Sequence, residues 1–589
     1  MQTAITSTAN NGTKNTSTIK PAGISGKDVL LLSIMAIGAA CGIIYEYLLA
    51  HYAGRVLGSV DIAVYGMIGV MVASMGLGAF FARTIKNPYS GFAWLEMIIS
   101  VLGGSAVLLM AAVVSYAFVL PTELQHTFGL DPSVIVDGGP IHALRELSKV
   151  VPYLLGAVLG FFIGMEIPFI ARIREDLYER VDNNAGTVYG VDYIGGGIGA
   201  AIWVLVCLSQ PIIVSAAATA LLNLLLGAIF AFKFWHKIRW VAALMLIKLV
   251  VGMFLIAILI KGGAWINSMN SMLYKDKVVY SQNTRYQNLV LTERIIGGSG
   301  DSILSLFING RLQFSSADED IYHAMLVSPA MLASARNDRV LVVGGGDGLG
   351  VRDILRYNPS SVTLVDLDPA MTALFAGRDE AADPWLNERL KNLTNDALND
   401  SRVSVINEDA FLYVEKLVSQ RQTFDAIIVD LPDPNHPDLN KLYSAYFYRQ
   451  LANLLSGDGA MVIQSTSPYH SKNAFLSIGV TAREAGLNTE QYHANVPSFG
   501  EWGWTITTKR GRGALERIKA VPNTAVKSDT VDFNFILGAF TFPKPFFDGL
   551  STIKINRLSS PVLYTYHSQG WRKQEGVFIT KQDAELNSH

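Results

Sequence analysis

The sequence predicts a two-part chain: a membrane α-helical bundle of about seven spans, then a small β-domain leading into a Rossmann-like α/β domain. Three observations predict it. Apolar residues make up 50% of the 589 and charged residues only 16%, and both skew toward the N-terminal side. Seven apolar stretches there are each long enough to cross a bilayer as a helix. Downstream, Val340-Leu-Val-Val-Gly-Gly-Gly-Asp-Gly-Leu-Gly350 is a buried-strand run opening directly into glycines. Val362-Thr-Leu-Val-Asp366 supplies a second strand ending in an acid, about 20 residues after the first, as in folds that hold an adenosine ribose.

Residues 1–27 are rich in Ser, Thr, Asn and Gly without an apolar core, and read as a disordered polar tail rather than a cleaved leader. The bundle occupies 28–261, with spans at 29–49, 62–82, 92–119, 150–170, 188–209, 211–232 and 240–260. Gly38-Ala-Ala-Cys-Gly42 and Gly195-Gly-Gly-Ile-Gly199 are small-residue spacings that permit close helix packing. Glu46, Glu96, Glu166, Asp192 and Lys248 are ionisable residues inside spans, where they are costly. Carboxylates beside aromatics suit a path for polyammonium ions; equally, such residues pair with neighbouring helices, and anchoring or assembly is the larger role expected of the bundle. Cys41 and Cys207 both lie in apolar spans, so no disulfide framework and no metal site is expected, and a net charge of −2 gives no nucleic-acid signature.

Residues 276–325 alternate strand runs with turns, including Asn288–Thr292 and Leu304–Ile308 followed by the hairpin signal Asn309-Gly310. Residues 326–510 carry strand runs at Val340–Val343, Val362–Asp366, Val403–Ile406, Phe424–Asp430 and Ala460–Gln464 with helices between them, a doubly wound sheet with ligands at the strand C-termini. Residues 511–589 read as an extension packed on that domain. The glycine pattern, Gly344-x-Gly346-x-Gly348, lacks the spacing of dinucleotide enzymes, which points away from NAD. Asp347 within the turn repels phosphate and suits a cation, so the expected ligand is S-adenosyl-like.

From Tyr280 to Lys509 the chain resembles the spermidine synthases, the polyamine aminopropyltransferases. The matching pieces, in order, are Tyr286-Gln287, Ile321-Tyr-His-Ala-Met325, the glycine turn 344–348, Val365-Asp-Leu-Asp368, Glu408-Asp-Ala410 and Asp430-Leu-Pro-Asp-Pro434. The resemblance implies a methyltransferase-type Rossmann-like domain. Its reaction would move the aminopropyl group of decarboxylated S-adenosylmethionine, a co-substrate rather than a tightly bound cofactor, to putrescine or a similar amine. It gives the donor to Gln287, Gly344, Gly346, Asp347, Gly348, Asp366, Asp409 and Ala410, with Asp366 on the ribose and Asp409-Ala410 at the adenine. Asp347 would pair the aminopropyl ammonium and oppose the carboxylate of ordinary S-adenosylmethionine, unless it only organises the turn. Asp368 is a second ribose partner or, in the favoured reading, a helix cap.

Substitution beside a sulfonium needs a neutral amine, yet alkylamines are protonated near neutrality, with a pKa of about 10. A carboxylate must take the proton. That role falls to Asp430, with Tyr322 orienting the amine, and Asp433, His323, Gln464 and Glu501 line the acceptor side. The last assignments rest on departures from the soluble enzymes: Gln464-Ser-Thr466 stands where many have a second acid, and in Pro497-Ser-Phe-Gly-Glu-Trp502 Glu501 either replaces it or faces solvent, with Phe499, Trp502 and Trp504 equally readable as core. Residues 435–442 resemble the family's loop over the acceptor.

Competing functions are an S-adenosylmethionine-dependent methyltransferase and a polyamine transporter or sensor. The expected partners are the amine and the lipid bilayer, with no nucleic acid and a homo-oligomer left open. The expected place is the inner membrane, multi-pass, with the catalytic domain cytoplasmic because its donor is made there. That expectation conflicts with the charges. Lys14, Lys20, Lys27, Arg83, Lys86, Arg172, Arg174, Arg180, Lys233, Lys237 and Arg239 cluster on one side of the bundle, and with seven crossings the positive-inside rule puts the soluble half on the other.

Overall fold

The computed structural model describes residues 26–57, 60–128, 140–177, 184–274, 276–297 and 302–574. The polar tail expected at 1–27 lies almost wholly outside them. The N-terminal half is helical: α1 Gly26–Leu57, α2 Val60–Phe81, α3 Pro88–Phe128, α4 Pro140–Ile163, α5 Glu166–Leu177, α6 Asn184–Leu205, α7 Ile212–Lys233 and α8 Val241–Leu273. Among the described residues this gives seven helical segments long and apolar enough to cross a membrane, α4 and α5 together forming the fourth.

Pro168 explains the interruption between α4 and α5. It has no N–H to donate to the Gly164 carbonyl four residues back, and its ring crowds that turn, so the chain tightens at Gly164-Met165, where the Met165 N–H reaches the Phe162 carbonyl at 3.0 Å. The two glycine spacings do different work. Cβ atoms on Gly195 and Gly199 would lie 2.1 and 2.4 Å from the carbonyl oxygens of Ala36 and Ala40, so α6 lies directly on the backbone of α1. Gly38 and Gly42 instead make room for the side chains of Glu166 and Ile163. At one end of the bundle the buried Arg174 pairs with Asp28 at 2.8 Å and with Asn184 at 2.7 Å.

The second half begins with an antiparallel sheet of β1 Lys277–Asn283, β2 Asn288–Ile295, β3 Ser302–Ile308 and β4 Arg311–Ser315, in that spatial order. The β3–β4 turn has positive φ at both Asn309 (51°) and Gly310 (78°), as a tight two-residue hairpin requires. After α9 (Glu319–Ala333) comes a seven-stranded sheet of β5 Arg339–Gly344, β6 Ser361–Val365, β7 Val403–Ile406, β8 Phe424–Asp430, β9 Leu455–Gln464, β10 Asn488–Val496 and β11 Gly500–Thr508. Its order is β10-β11-β9-β8-β5-β6-β7, with β5 to β9 parallel and the last two strands antiparallel. The strand order reverses between β5 and β8, and such a switch point is where open α/β sheets bind ligands.

Gly344 and Asp430 pair across that point at the strand C-termini. His51 near the end of α1 and Leu208 between α6 and α7 line the cavity that opens there, so the sheet-bearing half sits at the bundle end opposite Arg83, Arg174, Lys233 and Lys237.

Candidate active site

The cavity over the switch point has a volume of about 1120 Å³ and is bounded by both sheets, the loop 435–442, the C-terminal extension and the end of the bundle. On its donor side the backbone holds the acids in place. Asp366 accepts from the Gly346 N–H at 3.1 Å and from the Asp368 N–H at 2.9 Å, and a Cβ on Gly346 would stand 2.6 Å from the Asp366 carboxyl carbon. The glycine is there because the acid folds back onto it. Asp368 caps α11 (Pro369–Phe375) through the Ala370 N–H at 3.1 Å, and its other oxygen takes Gln287 Nε2 at 3.0 Å and Thr284 Oγ1 at 2.7 Å. It therefore caps a helix and also aims Gln287 into the cavity. Asp409 caps the helix Ala410–Ser419 with one oxygen, and the other pairs with Lys441 at 2.7 Å, a partner the sequence reading missed.

Asp347 accepts from the Leu349 N–H at 2.9 Å, which turns the chain into α10 (Leu349–Leu355). Burial raises its pKa, opposed by the neighbouring His323. Asp430 is raised to about 6, first by burial and then by the charge of Asp347, against the pull of His323 and the Tyr322 hydroxyl. That hydroxyl donates to Asp430 at 2.8 Å, and burial beside Asp430 keeps it protonated far above the usual phenol range. Asp366 is likewise raised to about 6 by burial. His323 contacts Glu319 at 2.8 Å, and Glu319 also receives Arg352 at 2.6 Å. Burial alone would lower His323, but the Glu319 carboxylate outweighs it and raises the imidazole to about 9, so it carries a positive charge at neutral pH. Asp347, Asp366 and Asp430, each half-buried, thus line one cavity with His323 and, behind it, the Glu319-paired Arg352 as the opposing charges, an environment that gains from a bound cation.

The other end of the cavity is organised around Asp433. One of its oxygens receives Gln464 Nε2 at 2.7 Å; the other meets Thr466 Oγ1 at 3.2 Å and His567 Nε2 at 3.0 Å. Burial would raise this carboxyl, but the His567 contact and the two neutral donors together hold it below the usual range. His567, 2% exposed, comes from the C-terminal helix Leu563–Gln574. Sequence reasoning missed it because a lone histidine in a polar amphipathic helix carries no motif.

The structure brings twelve of the fourteen residues expected from the sequence to this cavity: Gln287, Tyr322, His323, Gly344, Gly346, Asp347, Asp366, Asp409, Ala410, Asp430, Asp433 and Gln464. Gly348 and Glu501 stand apart from it. Gly348 begins α10 at φ 75°, and a Cβ there would strike Leu398 at 2.7 Å, so its role is in the turn. Glu501 points across the β10–β11 pair to His493, whose other ring nitrogen meets the Thr541 carbonyl at 3.0 Å. Phe499 and Trp502 do line the cavity, whereas Trp504 is fully buried beneath Tyr322.

Residues 319–518 match the spermine/spermidine synthase domain. Over 564 residues the chain is 50% identical to a polyamine aminopropyltransferase of Shewanella oneidensis, covering 95% of this chain and 98% of that protein, helical half included. A polyamine aminopropyltransferase of Mycobacterium tuberculosis is 31% identical over 525 residues, covering 87% of this chain and 91% of its own. A spermidine synthase solved with the transition-state analogue AdoDATO superposes with a TM-score of 0.40 at 21% identity, over 47% of this chain and 90% of that one. The family match and these relatives define the class, a transferase that moves alkyl groups other than methyl. The chain belongs to the polyamine aminopropyltransferase family.

Proposed function

We propose that the protein is a membrane-embedded aminopropyltransferase that joins decarboxylated S-adenosylmethionine to putrescine or a closely related diamine, giving spermidine and 5′-methylthioadenosine. The observation that carries this reading is the placement of Asp347 and Asp430, both half-buried, on one wall of the cavity, with the buried Tyr322 and His323 beside them. Gln287, Asp366, Asp409 and Ala410 hold the nucleoside, and Asp347 takes the aminopropyl ammonium. The amine nitrogen attacks the carbon next to the sulfonium; the C–S bond breaks with its electron pair going to sulfur, and the proton leaving nitrogen passes to Asp430. Asp433 holds the distal ammonium. Residues of the chain carry every one of these steps.

The apolar helices support the membrane part of the proposal: α2, α6 and α8 bury only 17% to 22% of their most apolar windows within the chain, leaving apolar surface that lipid would cover. We place the soluble half on the cytoplasmic side, where the donor is made, although the Lys and Arg residues at the far end of the bundle favour the opposite orientation under the positive-inside rule.

The test is full-length protein incubated with each sulfonium donor and a panel of amines, with products read by mass spectrometry. The expected result is aminopropyl transfer from the decarboxylated donor only, with Asp347→Asn losing about 10- to 100-fold in affinity for it, the value of one charge-assisted contact. Methyl transfer from S-adenosylmethionine would sink the reading. The same assay in sealed vesicles reads the side: turnover of added donor in inverted but not in right-side-out vesicles is expected, and the reverse places the domain outside.

His567→Ala should raise the KM for amine by about fivefold with a smaller change in kcat, because Asp433 loses one buried partner worth about 1 kcal/mol. His567→Gln, which keeps a donor, should recover most of the loss. Steady-state kinetics with an unchanged amine KM would remove His567 from the acceptor site.

A further inference from the structure

The interior of the bundle holds a group of polar side chains that the transfer reaction does not use. Glu96 of α3 and Lys248 of α8 are 1% and 4% exposed, and they flank Gly227 of α7, where a Cβ would lie 2.6 Å from Glu96 Cβ and 2.4 Å from Lys248 Nζ. Asn223, one turn earlier on α7, donates to the Glu96 backbone carbonyl at 3.4 Å. Tyr45 of α1 lies against Gly103 of α3, where a Cβ would meet its ring at 2.3 Å. Glu166, 3% exposed, sits where the fourth span is interrupted and turns toward Gly38 of α1, within Coulombic reach of both Glu96 and Asp192. The depth is central: Tyr45 is about 14 Å along α1 from the cavity-lining Gly54, and Glu96 about 12 Å along α3 from its opposite end.

Both carboxylate oxygens of Glu96, Lys248 Nζ, Asn223 Oδ1 and the Tyr45 hydroxyl are buried with no partner at full hydrogen-bonding distance, Asn223 and Lys248 acting on Glu96 only from farther off. The bundle can satisfy such groups, as Arg174, Asp28 and Asn184 show at its end. A bundle that only anchors gains nothing from five atoms at mid-depth that stop short of full hydrogen bonds, since incompletely satisfied buried polar groups destabilise it. Four of the five are able to accept hydrogen bonds, and the carboxylates Glu96, Glu166 and Asp192 outnumber the one ammonium of Lys248. The missing component is therefore a cation rich in N–H donors. A primary ammonium offers three, gains further from the Tyr45 ring, and is already represented by Lys248, whose alkylammonium arm stands beside Glu96. An interrupted span with a charged residue at mid-membrane depth is also how membrane proteins build sites for ions and charged solutes.

We propose that the bundle contains a second alkylammonium-binding site, formed by Glu96, Glu166, Asn223 and Tyr45 at the break in the fourth span, through which polyamine cations pass. It rests on the reading of the bundle as membrane-embedded and extends to it the substrate class of the soluble half, whose cavity reaches the bundle at His51, Gly54 and Leu208. Lys248 is the resident counter-charge that an incoming ammonium displaces from Glu96.

Full-length protein in proteoliposomes, loaded on one side with labelled spermidine or putrescine, tests this. Wild type should move the label at least about tenfold faster than protein-free liposomes. Glu96→Gln and Glu166→Gln should each remove most of that flux while aminopropyl transfer by the same preparations stays within about twofold, and Glu96→Asp should restore flux in part. Equilibrium dialysis of the wild type, independent of how any variant folds, should count two labelled spermidines per chain. Flux no greater than in empty liposomes, variants that match wild type, one spermidine per chain, or proton movement without amine movement would each overturn the proposal. Failure of aminopropyl transfer alone, with flux and the second bound amine intact, would instead count against the catalytic reading.

Discussion

Asp430→Asn is expected to lower kcat by about two orders of magnitude or more and to leave donor affinity nearly unchanged. The side chain ends β8 at the switch point, receives the Tyr322 hydroxyl at 2.8 Å, and is the acid placed to take a proton from an amine approaching the donor. The amide keeps the shape and the Tyr322 contact but cannot accept that proton. A pH profile separates chemistry from misplacement. Burial, with the charge of Asp347 behind it, holds the Asp430 carboxyl at about 6, so in the free enzyme kcat/KM should fall as pH drops below about 6, where the group is protonated and useless as a base. The Asn variant should lose that limb. Wild-type turnover in Asp430→Asn, or an acid limb unchanged by the substitution, would remove Asp430 from the mechanism.

Gly344→Ala should be the most damaging change outside the acids. Gly344 adopts φ 81°, in the left-handed region, and its missing Cβ leaves room for the Asp430 carbonyl oxygen, which would otherwise stand 2.1 Å away. The backbone strain costs about 1–2 kcal/mol and the overpacking a further ~1–3 kcal/mol, because the two nearest atoms belong to the Asp430 backbone and not to a flexible side chain. The strands β5 and β8 must part at the point where they present the glycine turn and the base. We expect kcat/KM to fall by about 100-fold or more, with a lower Tm, both measured on the same preparation. Gly350, where a Cβ meets open space, is the control: Gly350→Ala should be close to neutral.

The parts of the molecule legible in the sequence are those with a short period or a local chemical signature. Seven apolar runs, the strand-glycine-acid series of β5 and β6, and the Asn309-Gly310 hairpin each declare themselves within a few residues. So do the acids that follow strands β5, β6 and β8 and line the cavity, because a carboxylate at the end of a buried strand has little other reason to be there. Long-range partners were not legible. Lys441 on Asp409 spans 32 residues, and His567 on Asp433 spans 134. Glu501 illustrates the opposite error: its place near the acceptor motifs made it a candidate, but the strict alternation of β11 turns its side chain to the face that holds His493. In the bundle, Glu46, Glu166 and Asp192 stand out in the sequence ahead of Glu96, and only packing shows that Glu96 joins Lys248 and Asn223 across three helices.

The contact from His567 to Asp433 also bears on the order in which the chain is made. Helices near the N-terminus leave the ribosome first and the glycine turn follows, but Asp433 lacks its third partner until Leu563–Gln574 has been synthesised and has folded back across the domain. The acceptor end is therefore finished last, after the span-forming helices have been made. A chain cut short before residue 567 would retain the donor acids while leaving Asp433 one contact short, so the completeness of translation is written into the hydrogen bonds of a single carboxylate.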